Sequence, residues 1–71
     1  MAEAGADLNQ QSGPLQFTPI MRAVWEGNND IVRFLKNQGV DLTIEDADGD
    51  DVLDIAELKN NTEAIQILKE K

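Results

Sequence analysis

Apolar positions recur along the chain in two matching sets. Ile20, Ala23 and Val24 fall on one face at helical spacing, and Ile31, Val32, Phe34 and Leu35 follow after a short polar gap. Farther on, Leu53, Ile55, Ala56 and Leu58, then Ala64, Ile65, Ile67 and Leu68, repeat the plan. This predicts four short amphipathic helices in two pairs. Local chemistry gives their ends. Thr18 can accept an N–H of the first turn, and Pro19 at the first helical position loses no hydrogen bond. Gly27 ends the first helix by accepting a left-handed backbone. After an Asn28-Asn29 turn, Asp30 lies near the positive end of the second helix dipole. Gly39 stops that helix, and Val40-Asp41-Leu42-Thr43 leads away as an extended segment to a turn at Asp48-Gly49. In the second pair Asn60-Asn61 makes the connection and Glu63 takes the place of Asp30. Lys69-Glu70-Lys71 then sets positive charge at the final C-terminus.

A shift of 33 residues lays 17–38 on 50–71 without a gap. Ala23 meets Ala56 and Leu35 meets Leu68, while Ile20 falls on Leu53, Trp25 on Leu58, Val32 on Ile65 and Phe34 on Ile67. A period of this length marks a solenoid, in which each unit is one supersecondary motif that buries its apolar face only against a neighbour.

Together with that period, Thr18-Pro19-Ile20-Met21-Arg22-Ala23 resembles the ankyrin repeat, whose signature runs T-P-L-H-x-A. Gly27 matches the family's inter-helix glycine, 30–35 its second helix, and Gly39-Val40-Asp41-Leu42 the Gly-Ala-Asp-Val stretch that follows. The resemblance implies an all-α ankyrin-repeat solenoid. Residues 17–49 would be one helix-turn-helix repeat and 50–71 a C-terminal capping repeat, with 1–16 contributing the end of a partial repeat and a hairpin loop. Gly5-Ala6-Asp7-Leu8-Asn9 lies 34 residues before the matching Gly39 segment, so the first hairpin is expected to carry one extra residue. Three departures stand out: Met21 replaces the family histidine, Asp51-Val52 replaces Thr-Pro, and Asn60 replaces the glycine. The erosion in the second unit suits an end repeat, one face of which meets water. Ala2 to Asp7 reads as the last turn of an earlier second helix and its exit loop. Further repeats are therefore expected upstream. Otherwise the helix pair around Ile20, Val24 and Ile31 would be left exposed, to be covered by a second copy in a homodimer or domain swap.

Composition narrows the function. Among 71 residues, 14 are acidic and 6 basic, a formal charge of -8 that repels phosphate backbones and anionic membranes. Nucleic acid and membranes are thus not expected partners. Neither a secretory leader nor a spanning segment is recognised, so the cytoplasm, or the nucleus, is the expected location. Histidine, cysteine and tyrosine are absent, as is a Gly-rich phosphate loop, so neither catalysis nor a cofactor is expected.

The resemblance implies a non-catalytic protein–protein interaction module that binds through hairpin tips and the concave face of its first helices. Trp25, the only tryptophan, is the natural anchor there. The competing reading is that its ring packs on Leu58 and seals the seam between units. Phe17 at the hairpin edge is a weaker candidate, with local packing beneath Pro14-Leu15 as the alternative. Glu26, Leu58, Lys59 and the hairpin residues Ala47, Asp48 and Asp50 complete the expected contact set. The acidic cluster at Glu45, Asp46, Asp48, Asp50, Asp51 and Asp54 suggests a partner with a basic surface, approached by electrostatic steering. The same cluster supports a rival. From 46 to 57, carboxylates at loop positions 1, 3, 5, 9 and 12 approximate an EF-hand calcium loop. Two features oppose it: Asp51 stands where the loop needs glycine, and Gly39 ends the helix that would have to enter it. Finally, the Thr18 to Gly27 run followed by one short repeat is similar to the myotrophin-type ankyrin proteins, which implies regulation of actin capping protein.

Overall fold

The computed structural model describes residues 8–70. Four helices form: α1 (Pro19–Glu26), α2 (Asn29–Asn37), α3 (Val52–Leu58) and α4 (Thr62–Lys69). α1 packs against α2 and α3, and α4 against α2 and α3, so two hairpin pairs lie side by side. The all-α architecture expected from the resemblance is the one observed. Among the described residues the only β pairing is an isolated antiparallel bridge between Ser12 and Phe17. No helix there is long and apolar enough to cross a membrane. The segment 2–7, read from sequence as the end of an earlier repeat, lies outside the described residues, as does Lys71.

Helix ends follow the local chemistry, including where the sequence departs from the family pattern. The Met21 N–H donates to Thr18 Oγ1 and the Thr18 N–H to the Met21 sulfur, each at 3.4 Å. The thioether therefore takes over an acceptor role, and replacing histidine leaves the turn braced. Asp51 and Asp54 make the same reciprocal box at α3, with the Asp54 N–H donating to Asp51 Oδ1 at 2.9 Å. Asp51 thus does the capping work of a threonine. Gly27 closes α1 with φ 76°, and Asn60, its counterpart 33 residues on, takes φ 56° after α3. Asparagine is the residue after glycine that tolerates this conformation, so the substitution keeps the geometry.

The core holds Phe17, Ile20, Met21, Ala23, Val24, Val32 and Leu35 from the first pair and its hairpin, with Val52, Ile55, Ala56, Ala64 and Ile67 from the second. The two pairs bury different registers. Met21 and Val24 are buried, whereas Asp54 and Glu57, which occupy the same places one period later, are exposed. Conversely, Ala64 and Ile67 are buried while their counterparts Ile31 and Phe34 are 42% and 56% exposed. Each pair turns its apolar surface toward the other. This corrects the expected exposed patch, because Ile20 and Val24 are inaccessible and only Ile31 of that trio reaches solvent. The reason is that Ile20 and Val24 face the second pair and the α1–α2 interior.

The hairpins differ in length. Ser12 and Phe17 exchange both backbone hydrogen bonds, at 3.0 and 3.1 Å, across a six-residue loop. In the second hairpin the Asp46 N–H reaches the Asp50 carbonyl at 2.9 Å across five. The extra residue leaves Gln16 in the left-handed region at φ 56°.

Candidate partner-binding surface

Trp25 sits in the last turn of α1 and is 39% exposed. Its ring is held from two sides. The Phe17 ring lies 5.6 Å away at 52°, and Lys59 Nζ stands 4.3 Å from the indole centroid. Tilted aromatic packing and a cation over an indole face are both attractive, so the ring is fixed before any partner arrives. Lys59 follows α3 directly, so Trp25 bridges the two units through this cation. The ring therefore packs at the seam between units and still reaches solvent. Leu58, its packing partner in the competing reading, is 68% exposed. Phe17 is 6% exposed and forms the floor under Trp25. Glu26 is exposed and pairs with Arg22 one turn earlier at 3.7 Å, a pair of little stabilising value in water.

The acidic hairpin is built around the Asp46 side chain. Its Oδ1 accepts the N–H groups of Asp48 at 2.8 Å and Asp50 at 3.0 Å, and Gly49 completes the turn at φ 83°. Ala47 and Asp48 are exposed and Asp50 is half-buried. Desolvation, then the charges of Asp46, Asp54, Asp48 and Asp51, holds the Asp50 carboxyl above its ordinary value. The hairpins are tied to each other. The Ala47 N–H donates to the Leu15 carbonyl at 2.9 Å, and Gln11 Nε2 donates to the carbonyls of Gln16 at 2.9 Å and Glu45 at 2.6 Å.

Carboxylate oxygens of Asp46, Asp48 and Asp50 lie within 4.8 Å of one another. The calcium-loop reading of 46–57 lacks the helix that would enter it, since α2 ends at Asn37, and the Asp54 carboxylate accepts the Asp51 N–H at 3.4 Å.

From sequence, Pro14 and Leu15 are a cover over Phe17 and not part of the expected contact set. They line a cleft of about 260 Å³ with Ser12, Gly13, Phe17, Arg22, Trp25 and Glu26. The available signal was one large apolar residue, Leu15, in a loop otherwise made of Ser, Gly, Pro and Gln. The structure thus gathers Phe17, Trp25, Glu26 and Lys59 around one site. It brings Ala47 alongside through the bond to Leu15, and Asp48 and Asp50 follow on the same hairpin.

The chain matches the family model for ankyrin repeats (3 copies) over residues 1–71. It is similar to "Ankyrin repeat and SAM domain-containing protein 6" of Rattus norvegicus, at 36% identity over 70 residues. The protein of the same name in Mus musculus is 33% identical over 70 residues. Each alignment covers 96% of the chain, which spans 8% of the length of these curated relatives. No solved structure matches.

Proposed function

Since the chain belongs to the ankyrin-repeat family, whose members are in general protein-interaction modules, we propose that it binds a partner protein, without catalysis, at the surface around Trp25. Lys59 lies over the ring, Glu26 lines the same cleft, and exposed Leu58 with the hairpin residues Ala47, Asp48 and Asp50 completes the proposed contact set. The observation that carries this reading is the ordered Trp25 ring, half open to solvent yet held between Phe17 and Lys59. A pre-positioned tryptophan loses little freedom on binding, which is why such residues dominate interface energies. Hydrogen exchange of the protein with a captured partner tests this. Protection should concentrate on α1, the start of the α3–α4 connection and the two hairpin tips. Capture should fail with Trp25→Ala and persist with Gln66→Ala, which lies exposed on α4. A partner retained equally by Trp25→Ala, Lys59→Glu and Asp48→Asn would refute the assignment.

A second surface is favoured by Ile31 and Phe34, which are exposed where their counterparts Ala64 and Ile67 are buried. The opposite end of the stack carries exposed Asp54 and Glu57. Head-to-tail stacking of copies would press an apolar face on an acidic one, whereas a two-fold dimer matches the apolar face to itself. We therefore propose a symmetric homodimer through Ile31 and Phe34. The reading as a regulator of actin capping protein rests on Thr18 to Gly27. Thr18, Ile20, Met21, Ala23, Val24 and Gly27 are consumed there by capping and core packing, which any repeat requires, so they give it no support.

A further inference from the structure

The cleft beside Trp25 has the dimensions and the neighbours to define the kind of partner. Its volume of about 260 Å³ falls below the roughly 300–1,000 Å³ typical of small-molecule pockets. It suits one bulky side chain entering from a surface. Its walls are apolar at Pro14, Leu15, Phe17 and Trp25, and Arg22 and Glu26 are at its rim. A second cleft of about 260 Å³ shares Ser12, Phe17 and Arg22 and continues to Pro19. Two clefts that share three lining residues offer neighbouring footholds, as an extended segment would use.

Charge decides what flanks the apolar anchor. Leu15 is bonded through its carbonyl to Ala47, so the first cleft borders the acidic hairpin directly. Asp46, Asp48 and Asp50 crowd their carboxylates there, and neither ion pair among the described residues involves them. Desolvation first, and then the neighbouring aspartates, raise the Asp50 carboxyl, and an arriving cation would offset the second of these.

We infer that the two clefts take a short extended peptide segment of a partner, with a bulky aliphatic side chain in the Leu15–Trp25 cleft and lysine or arginine nearby meeting Asp48 and Asp50. This rests on the Trp25 surface being the binding surface. It adds the chemical class of the ligand: an aliphatic anchor beside basic residues.

The test is selection of random twelve-residue peptides displayed on phage against the immobilised full chain, followed by titration of the winning synthetic peptides using the fluorescence of Trp25. Enriched sequences should pair an aliphatic residue with lysine or arginine. Affinity should fall about fivefold or more with Leu15→Ser or Trp25→Ala, the latter read by a dye on the peptide. Asp48→Asn combined with Asp50→Asn should weaken binding at about 0.1 M salt. The difference should shrink at about 1 M, where the screening length falls from about 10 to about 3 Å. Circular dichroism of each variant separates loss of contact from loss of fold. Binders that depend on Trp25 but lack basic residues would overturn the ligand class and leave the surface standing. Binders indifferent to both Trp25→Ala and Leu15→Ser would overturn the surface itself, and no enrichment above a blank support would overturn the inference as well.

Discussion

Asn61 connects more of this molecule than any other polar side chain described. Its Oδ1 accepts the Ala64 N–H at 3.2 Å, which caps α4. Its amide also exchanges hydrogen bonds with Asn29 at 3.1 and 3.0 Å and reaches the Val24 carbonyl at 3.3 Å. One residue therefore caps its own helix and stitches the two units together. Asn61→Ala removes the cap and takes away the partner of the part-buried Asn29 amide, at a cost of about 1–3 kcal/mol. For a domain of this size the melting temperature should fall by at least about 4 °C in a calorimetric scan. An unchanged melting temperature would mean that water replaces these bonds without loss. From sequence, Asn60-Asn61 could be read only as a connection, because Asn29 lies 32 positions away. Met21 illustrates the reverse case. It stands where the family has histidine, and folding brings its sulfur to the Thr18 N–H.

At the scale of elements, the second hairpin concentrates charge. Asp46 spends its carboxylate on the turn, accepting the N–H groups of Asp48 and Asp50, while Asp50 is held above its ordinary value by desolvation and four neighbouring aspartates. A carboxyl raised in the folded state favours the native protein while protonated. That contribution is complete below the reference value of 3.8 and is lost as pH rises through the elevated native value. Asp50→Asn removes the ionisation, so it should raise the melting temperature at about pH 7 and change it little at about pH 3. Thermal melts at the two pH values check this, and equal shifts at both would assign the effect to packing. Asp41 runs the other way, since the Thr43 hydroxyl and N–H hold its carboxyl below the usual value and favour the ionised native form. The helices themselves were largely visible beforehand. Thr18-Pro19, Gly27 and Gly39 act through bonds within a few residues, so their effect on helix ends needs no tertiary context.

Among the described residues, the two units stack with Ile31 and Phe34 exposed on one outer face and Asp54 and Glu57 on the other. Sedimentation of the wild type should show a monomer–dimer equilibrium, and Phe34→Glu should leave a monomer that retains its helical circular dichroism. A wild type that remains monomeric over the accessible concentrations would refute the Ile31–Phe34 dimer. The number of helices, their order, most of their ends and the repeating plan were legible in the chain, because propensity and capping act between near neighbours and the 33-residue period is a pattern of residue types. The sequence also determined the net charge of -8 and so the kinds of surface the chain repels. Only tertiary structure decided which face of each repeat is buried, since equivalent positions such as Phe34 and Ile67 have opposite exposures depending on whether another helix lies against them. It alone seated Trp25 between Phe17 and Lys59 and brought Leu15 to Ala47. Those contacts join residues from different units, and their distances are set by how the helices stack.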